Sequence, residues 1–176
     1  FEGVSERPFN AGVPEEFPGY AAWRARGHNV GNPFSRRAQC IGPLAWKDLG
    51  ALDNDIANLK AAMSATPVVE GFVPCASVGI VAQRMDNAYY PTYEAYVEAI
   101  ANVMKDEYRR VADAGLVVQV DAPEMCIDRG HPPFIDQPIE VFRKRQELWV
   151  EALNHALEGV PEEQVRFHVC WGNGEG

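Results

Sequence analysis

Asp113-Ala114-Gly115-Leu116-Val117-Val118-Gln119-Val120-Asp121-Ala122-Pro123 changes from helical to strand-like character within one short stretch. Upstream, Tyr93, Tyr96, Val97, Ile100, Val103, Met104, Tyr108 and Val111 recur at helical spacing as one apolar stripe. Thr92, just after Pro91, supplies the N-cap. Gly115 suits the left-handed position that ends a helix. Leu116–Val120 then reads as a buried strand running into Asp121. A polar loop with Pro123, Gly130, Pro132 and Pro133 follows. A helix feeding a short apolar strand is the unit from which α/β folds are built.

The same rhythm continues on both sides. Gln39–Ala45 predicts a short strand ending at a Gly-Pro turn. Leu49–Ala65 predicts a helix, with Leu52, Ile56, Leu59 and Met63 in register. Val68–Val73 predicts the next strand. Asp136 is the expected cap of a third helix that presents Ile139, Phe142, Trp149, Val150, Leu153 and Leu157 on one face, before Gly159 and Pro161 stop it. Val165–Trp171 is the last expected strand. The order β-α-β-α-β-α-β predicts right-handed crossovers and a parallel sheet. No G-x-G-x-x-G follows the first strand, as a Rossmann sheet would carry. Gly172-Asn173-Gly174-Glu175-Gly176 follows the last strand with no helix to cover it. The expected fold class is therefore α/β, a (β/α)₈ TIM barrel present as a partial barrel of about four strands and three helices, since a complete one takes roughly 250 residues. Residues 39–176 would form this partial barrel, truncated at both ends. Residues 1–38, where Pro8, Pro14, Pro18 and Pro33 interrupt any periodicity, read as an irregular N-terminal excursion.

Bulk properties narrow the function. Formal net charge is −9 over 176 residues, which argues against an extended face for nucleic acid. No apolar run approaches the ~18 residues of a membrane span. The four cysteines, Cys40, Cys75, Cys126 and Cys170, are too widely spaced for a small disulfide scaffold, so a reduced, cytoplasmic chain is expected. An oligomer is compatible with this composition.

The chemistry concentrates in Phe167-His168-Val169-Cys170-Trp171-Gly172-Asn173. In a strand His168 and Cys170 share a face, with Cα atoms roughly 6.5 Å apart. An imidazole nitrogen at ~2.0 Å and a thiolate at ~2.3 Å can occupy two corners of a tetrahedral zinc site. The C-terminal strand end is where barrel active sites lie. From the residues alone, ordinary core packing competes with metal binding.

The H-x-C-x-G-N strand end resembles the signature of the cobalamin-independent methionine synthase family, in its catalytic barrel. Val117-Val118-Gln119-Val120-Asp121-Ala122-Pro123 resembles that family's Q-(I/V)-D-x-P segment, the helix from Thr92 to Ala114 resembles the helix before it, and Cys40-Ile41-Gly42-Pro43 resembles its G-P strand end. The resemblance spans roughly residues 39–176 and extends to the epoxyalkane:coenzyme M transferase branch, which shares the barrel and the H-x-C motif.

It implies a zinc-dependent methyltransferase or alkyltransferase, in methionine biosynthesis or a related reaction, that moves a group from a folate-like or epoxide-derived donor to homocysteine or another small thiol. Zn²⁺ would be held by His168 and Cys170, with a Glu and a second Cys from later strands. Asp121 would hold the substrate's amino group, and Asn173 would position the loop or reach a ligand. The chain departs from the methionine synthase pattern at Ala122, where Glu is common, and at Glu124 and Met125. That departure leaves the thiol and the alkyl donor open. A metal-independent relative of the uroporphyrinogen decarboxylase type is the alternative.

Other residues carry weaker signals. Cys75 and Cys126 could complete a zinc site or fill the core. His155 reads as solvated, and His28 and His131 fall in loops. Trp46, Tyr89 and Tyr90 could stack a flat ligand or pack. Arg24, Arg26, Arg36 and Arg37 could meet an anionic substrate tail.

Overall fold

The computed structural model describes residues 1–8, 19, 36–130 and 134–170. Strand β1 (Glu2–Pro8) runs antiparallel to β2 (Arg36–Ala45), and β2 pairs in parallel with the short β4 (Met85–Asn87). A second sheet is all parallel, in the order β3 (Phe72–Ala76), β5 (Val117–Asp121), β6 (Val165–His168). Helices α1 (Gly50–Ala65), α2 (Val78–Arg84), α3 (Tyr93–Asp113), the single turn α4 (Glu124–Ile127) and α5 (Ile139–Ala156) lie between the strands in sequence.

Helix α3 is the centre of the core. Its stripe buries Tyr96, Val97, Ile100, Ala101, Val103, Met104, Tyr108, Val111 and Ala112. Thr92 caps it as the sequence indicates, its Oγ1 accepting from the Ala95 amide at 3.1 Å. Gly115 follows at φ +77°, a left-handed conformation that L side chains rarely adopt. The two buried tyrosines satisfy their hydroxyls on neighbouring strands. Tyr96 donates to the Met85 carbonyl at 2.8 Å and Tyr108 to the Ala76 carbonyl at 2.6 Å. Burial raises both phenols above their ordinary pKa. Helix α5 packs on α3 through Phe142, Trp149, Ala152, Leu153 and Ala156, and Trp149 Nε1 donates to the Tyr93 hydroxyl at 3.0 Å.

The α/β class and the parallel pairing agree with the sequence. Several boundaries do not. Glu2–Pro8 forms a strand within the stretch expected to be irregular. The strand expected at Val68–Val73 lies instead at Phe72–Ala76; Val68 and Val69 are exposed. Pro74 is accommodated because, among the described residues, β3 pairs on one side only, with β5. Helix α2 and strand β4 were not foreseen, being too short for a periodic signal. Asp136 does not cap α5, which starts after Pro138 with no side-chain cap, and Ile139 and Val150 are exposed, not core-facing. The last strand stops at His168, so Val169 and Cys170 lie beyond its end.

Candidate metal and substrate site

Register in the parallel sheet sets the site. Ala76 pairs with Asp121 and Asp121 with His168; two residues earlier, Pro74 pairs with Gln119 and Gln119 with Arg166. Paired residues in a parallel ladder share a face, and the face repeats every second residue. Phe72, Pro74, Ala76, Val117, Gln119, Asp121, Arg166 and His168 therefore form one side of the sheet. Cys75, Val118 and Val120 point to the other, where all three are buried with α3 in the core.

Asp121 and His168 meet at the C-terminal ends of adjacent strands. His168 Nδ1 lies 3.0 Å from Asp121 Oδ1, with the side chains 52% and 38% exposed, so the pair is open to a small ligand. The bonding continues inward along the same face. Gln119 Nε2 donates to Asp121 Oδ1 at 2.9 Å, and Arg166 Nε donates to Gln119 Oε1 at 3.0 Å. The Arg166 guanidinium lies 3.9 Å above the Phe72 ring centre. The residues expected separately as metal ligand and substrate holder are thus neighbours. Gln119 entered the sequence reading only as the Q of the Q-(I/V)-D-x-P segment, with no role at the site, and Arg166 not at all, although counting back two from Asp121 and from His168 points to them.

Cys170 is half-buried and not in a disulfide. Asn173 lies outside the described residues, as do Trp171, His28, His131, Arg24 and Arg26. Cys75 faces away from His168, and Cys126 is exposed on α4, so neither stands beside the Asp121–His168 pair through its strand. Burial and the nearby Glu107 carboxylate push the Cys75 thiol well above its ordinary value, the opposite of what a reactive thiol needs. His155 is half-exposed and bonded to Asn102 and Glu158. Trp46 donates to the Val103 carbonyl and packs on Phe1, and Tyr90 accepts from the Leu44 amide, so both are structural. Arg37 pairs with Asp86 at 2.8 Å. Among the described residues no group of three or more His, Cys, Asp or Glu side chains stands ready to hold one ion.

A buried carboxyl opens α4, the single helical turn just after Asp121. Glu124 has no accessible surface; its Oε1 accepts from the Ser77 hydroxyl at 2.6 Å, and its Oε2 has no hydrogen-bond partner among the described residues. Burial pushes this carboxyl up to about 7, the Ser77 bond opposes the rise, and Asp128 adds to it. Gly79 makes the fit possible, because a Cβ there would meet Glu124 Oε1 at 2.5 Å. The polarity of its loop gave no sign that Glu124 is buried.

The chain is 27% identical over 144 residues to a methionine synthase of Pyrococcus horikoshii, and 26% identical to those of Pyrococcus abyssi and Pyrococcus furiosus, in each case over 81% of this chain. Its fold matches a B12-independent methionine synthase from Shewanella sp. W3-18-1, solved in complex with selenomethionine, at a TM-score of 0.58 and 15% identity over 80% of the chain. In sequence the chain is similar to methionine synthases, and in fold to a B12-independent one. It spans 37% of the length of the Pyrococcus methionine synthases and 36% of the Shewanella one. No protein-family profile matches it. Among the described residues no helix is long and apolar enough to cross a membrane.

Proposed function

We propose that the chain is part of a TIM-barrel enzyme that transfers a methyl or alkyl group to a small thiol with the help of zinc. The observation that carries this reading is the Asp121–His168 pair, held on one face at the ends of two adjacent parallel strands, in a chain related to methionine synthases. Metal-ligating histidines commonly give their second ring nitrogen to a carboxylate, which fixes the ring and raises its basicity. His168 has that partner on Nδ1, while Nε2 makes no hydrogen bond among the described residues. Nitrogen and sulfur donors of this kind suit zinc. In this proposal His168 and Cys170 hold the ion, as two members of a four-coordinate set.

Bound zinc would supply a lowered thiol pKa, making thiolate available near neutral pH, where a free thiol with pKa ~8.5 is mostly protonated. The chain's own residues do the rest. Asp121 spends Oδ1 on Gln119 and His168, and its Oδ2, without a hydrogen bond among the described residues, can receive the ammonium group of an amino-acid thiol. Asn173, outside the described residues, is assigned by the same reading to position the loop or reach a ligand. The bound selenomethionine of the Shewanella enzyme, a selenium analogue of a methylated thiol, supports a small thioether product. Ala122 favours one variation. It is fully buried where the methionine synthases commonly carry Glu, so a thiol other than homocysteine, as in the epoxyalkane:coenzyme M branch, fits this loop as well.

The test is metal retention. The chain and its His168→Gln and Cys170→Ser variants are dialysed against buffered zinc, and bound metal is measured. Each substitution is expected to weaken zinc binding by roughly tenfold or more. Unchanged zinc content in both variants removes the ligand assignment.

A further inference from the structure

We propose that Gln119 and Arg166 are positioning residues that impose a one-way order on the hydrogen bonds of this face, so that neutral His168 carries its proton on Nδ1 and presents Nε2 as its basic nitrogen. A guanidinium has N–H donors and no acceptor; an ionised carboxylate has acceptors and no donor. The Gln119 amide bridges one of each, Arg166 at 3.0 Å and Asp121 at 2.9 Å. Only one orientation satisfies both, with the carbonyl toward Arg166 and the NH₂ toward Asp121. Turning the amide over would set donor against donor and acceptor against acceptor.

The order then passes to the imidazole. An ionised Asp121 can only accept, so the ring nitrogen 3.0 Å from its Oδ1 bears the hydrogen. Gln119, itself held by Arg166, keeps that oxygen turned toward His168; without them the carboxylate can rotate off the ring and the preference for Nδ1–H is lost. The far end of the chain is fixed as well, because the Arg166 guanidinium is held over the Phe72 ring at 3.9 Å. Side chains from all three parallel strands take part: Phe72 from β3, Gln119 and Asp121 from β5, Arg166 and His168 from β6. Charge also favours the arrangement, since Arg166 at one end balances the Asp121 carboxylate two residues along the same face. For the proposed metal site, on which only this consequence rests, Arg166 and Gln119 keep the ligating atom of His168 unprotonated without touching metal or substrate.

The ring can be read directly by nitrogen NMR. The chain is labelled with ¹⁵N-histidine, stripped of metal and observed at alkaline pH, with His168→Gln assigning the signals of His168 among the four histidines. The expected wild-type spectrum has Nδ1 protonated and Nε2 unprotonated. Gln119→Leu and Arg166→Met are expected to move the tautomer ratio toward Nε2–H by roughly five- to tenfold, about the effect of one hydrogen bond. Arg166→Lys, which keeps a donor-only cation, is expected to stay near the wild-type ratio. A wild-type ratio in both Gln119→Leu and Arg166→Met overturns the proposal, as does an Nε2–H ring in the unsubstituted chain. Arg166 is exposed, so Arg166→Met decides the matter even if Gln119→Leu fails to fold. Zinc affinity measured in parallel separates the two readings. An ordered ring with no zinc binding removes the metal site and leaves this assignment standing; zinc binding with an unmoved ring does the reverse.

Discussion

Glu124 shows how one residue can couple this loop to pH. Its carboxyl is pushed up to about 7 by burial, from an ordinary value of 4.5. Between those two pH values the native state holds a proton that the unfolded chain has released, so stability falls as pH rises through this window and levels off above it. The penalty at alkaline pH is about 3 kcal/mol by the usual conversion of pKa difference to free energy. Glu124→Gln keeps the shape and removes the titration. It is expected to flatten the stability profile between about pH 4.5 and 7 and to make the protein more stable than wild type at pH 8. Urea unfolding at a series of pH values measures both effects; parallel profiles for the two proteins would contradict the assignment. Gly79→Ala is expected to cost about 1–3 kcal/mol in the same assay, because its methyl group would strike Glu124 Oε1. Asp121, His168 and Cys170 stood out in the sequence because their chemistry is unusual at strand ends. Gln119 and Arg166 did not, because an amide and an arginine on a strand are ordinary until register brings them together.

Among the elements, α3 was the most legible. A long stripe, a threonine cap and a terminal glycine agree with one another, and the structure carries all three. Thr92→Ala is expected to cost about 1 kcal/mol by releasing the Ala95 amide. Gly115→Ala is expected to cost about 1–2 kcal/mol, since φ stays at +77° and alanine is strained there. Tyr108→Phe removes the donor to the Ala76 carbonyl and is expected to cost about 1–2 kcal/mol. Denaturant titration checks all three, and the first two should add, lying at opposite ends of the helix. The β3 strand was misplaced for a physical reason. Val68-Val69 has the stronger β propensity, yet the pairing partner of β5 is Phe72–Ala76, whose Pro74 disguises it. In β6 the apolar pattern continues past His168, but the parallel pairing stops there, and the pattern alone does not show where a ladder ends.

For the whole molecule, the alternation of elements was enough to give the α/β class. It did not reveal that the strands divide into two hydrogen-bonded groups, β1-β2-β4 and β3-β5-β6, because that depends on pairings between segments far apart in sequence. The second group places the Asp121–His168 pair at the C-terminal strand ends with one sheet face open, Phe72 being 42% exposed there. In the proposed site His168 and Cys170 bind one metal ion together. Cobalt(II) titration reads this most directly, because a thiolate on cobalt gives a sulfur-to-metal charge-transfer band. That band is expected in the wild-type chain, with its loss in Cys170→Ser, weakened cobalt binding in His168→Gln, and no change in Cys75→Ser or Cys126→Ser. A band that survives Cys170→Ser, or a wild-type chain that shows none, would contradict it.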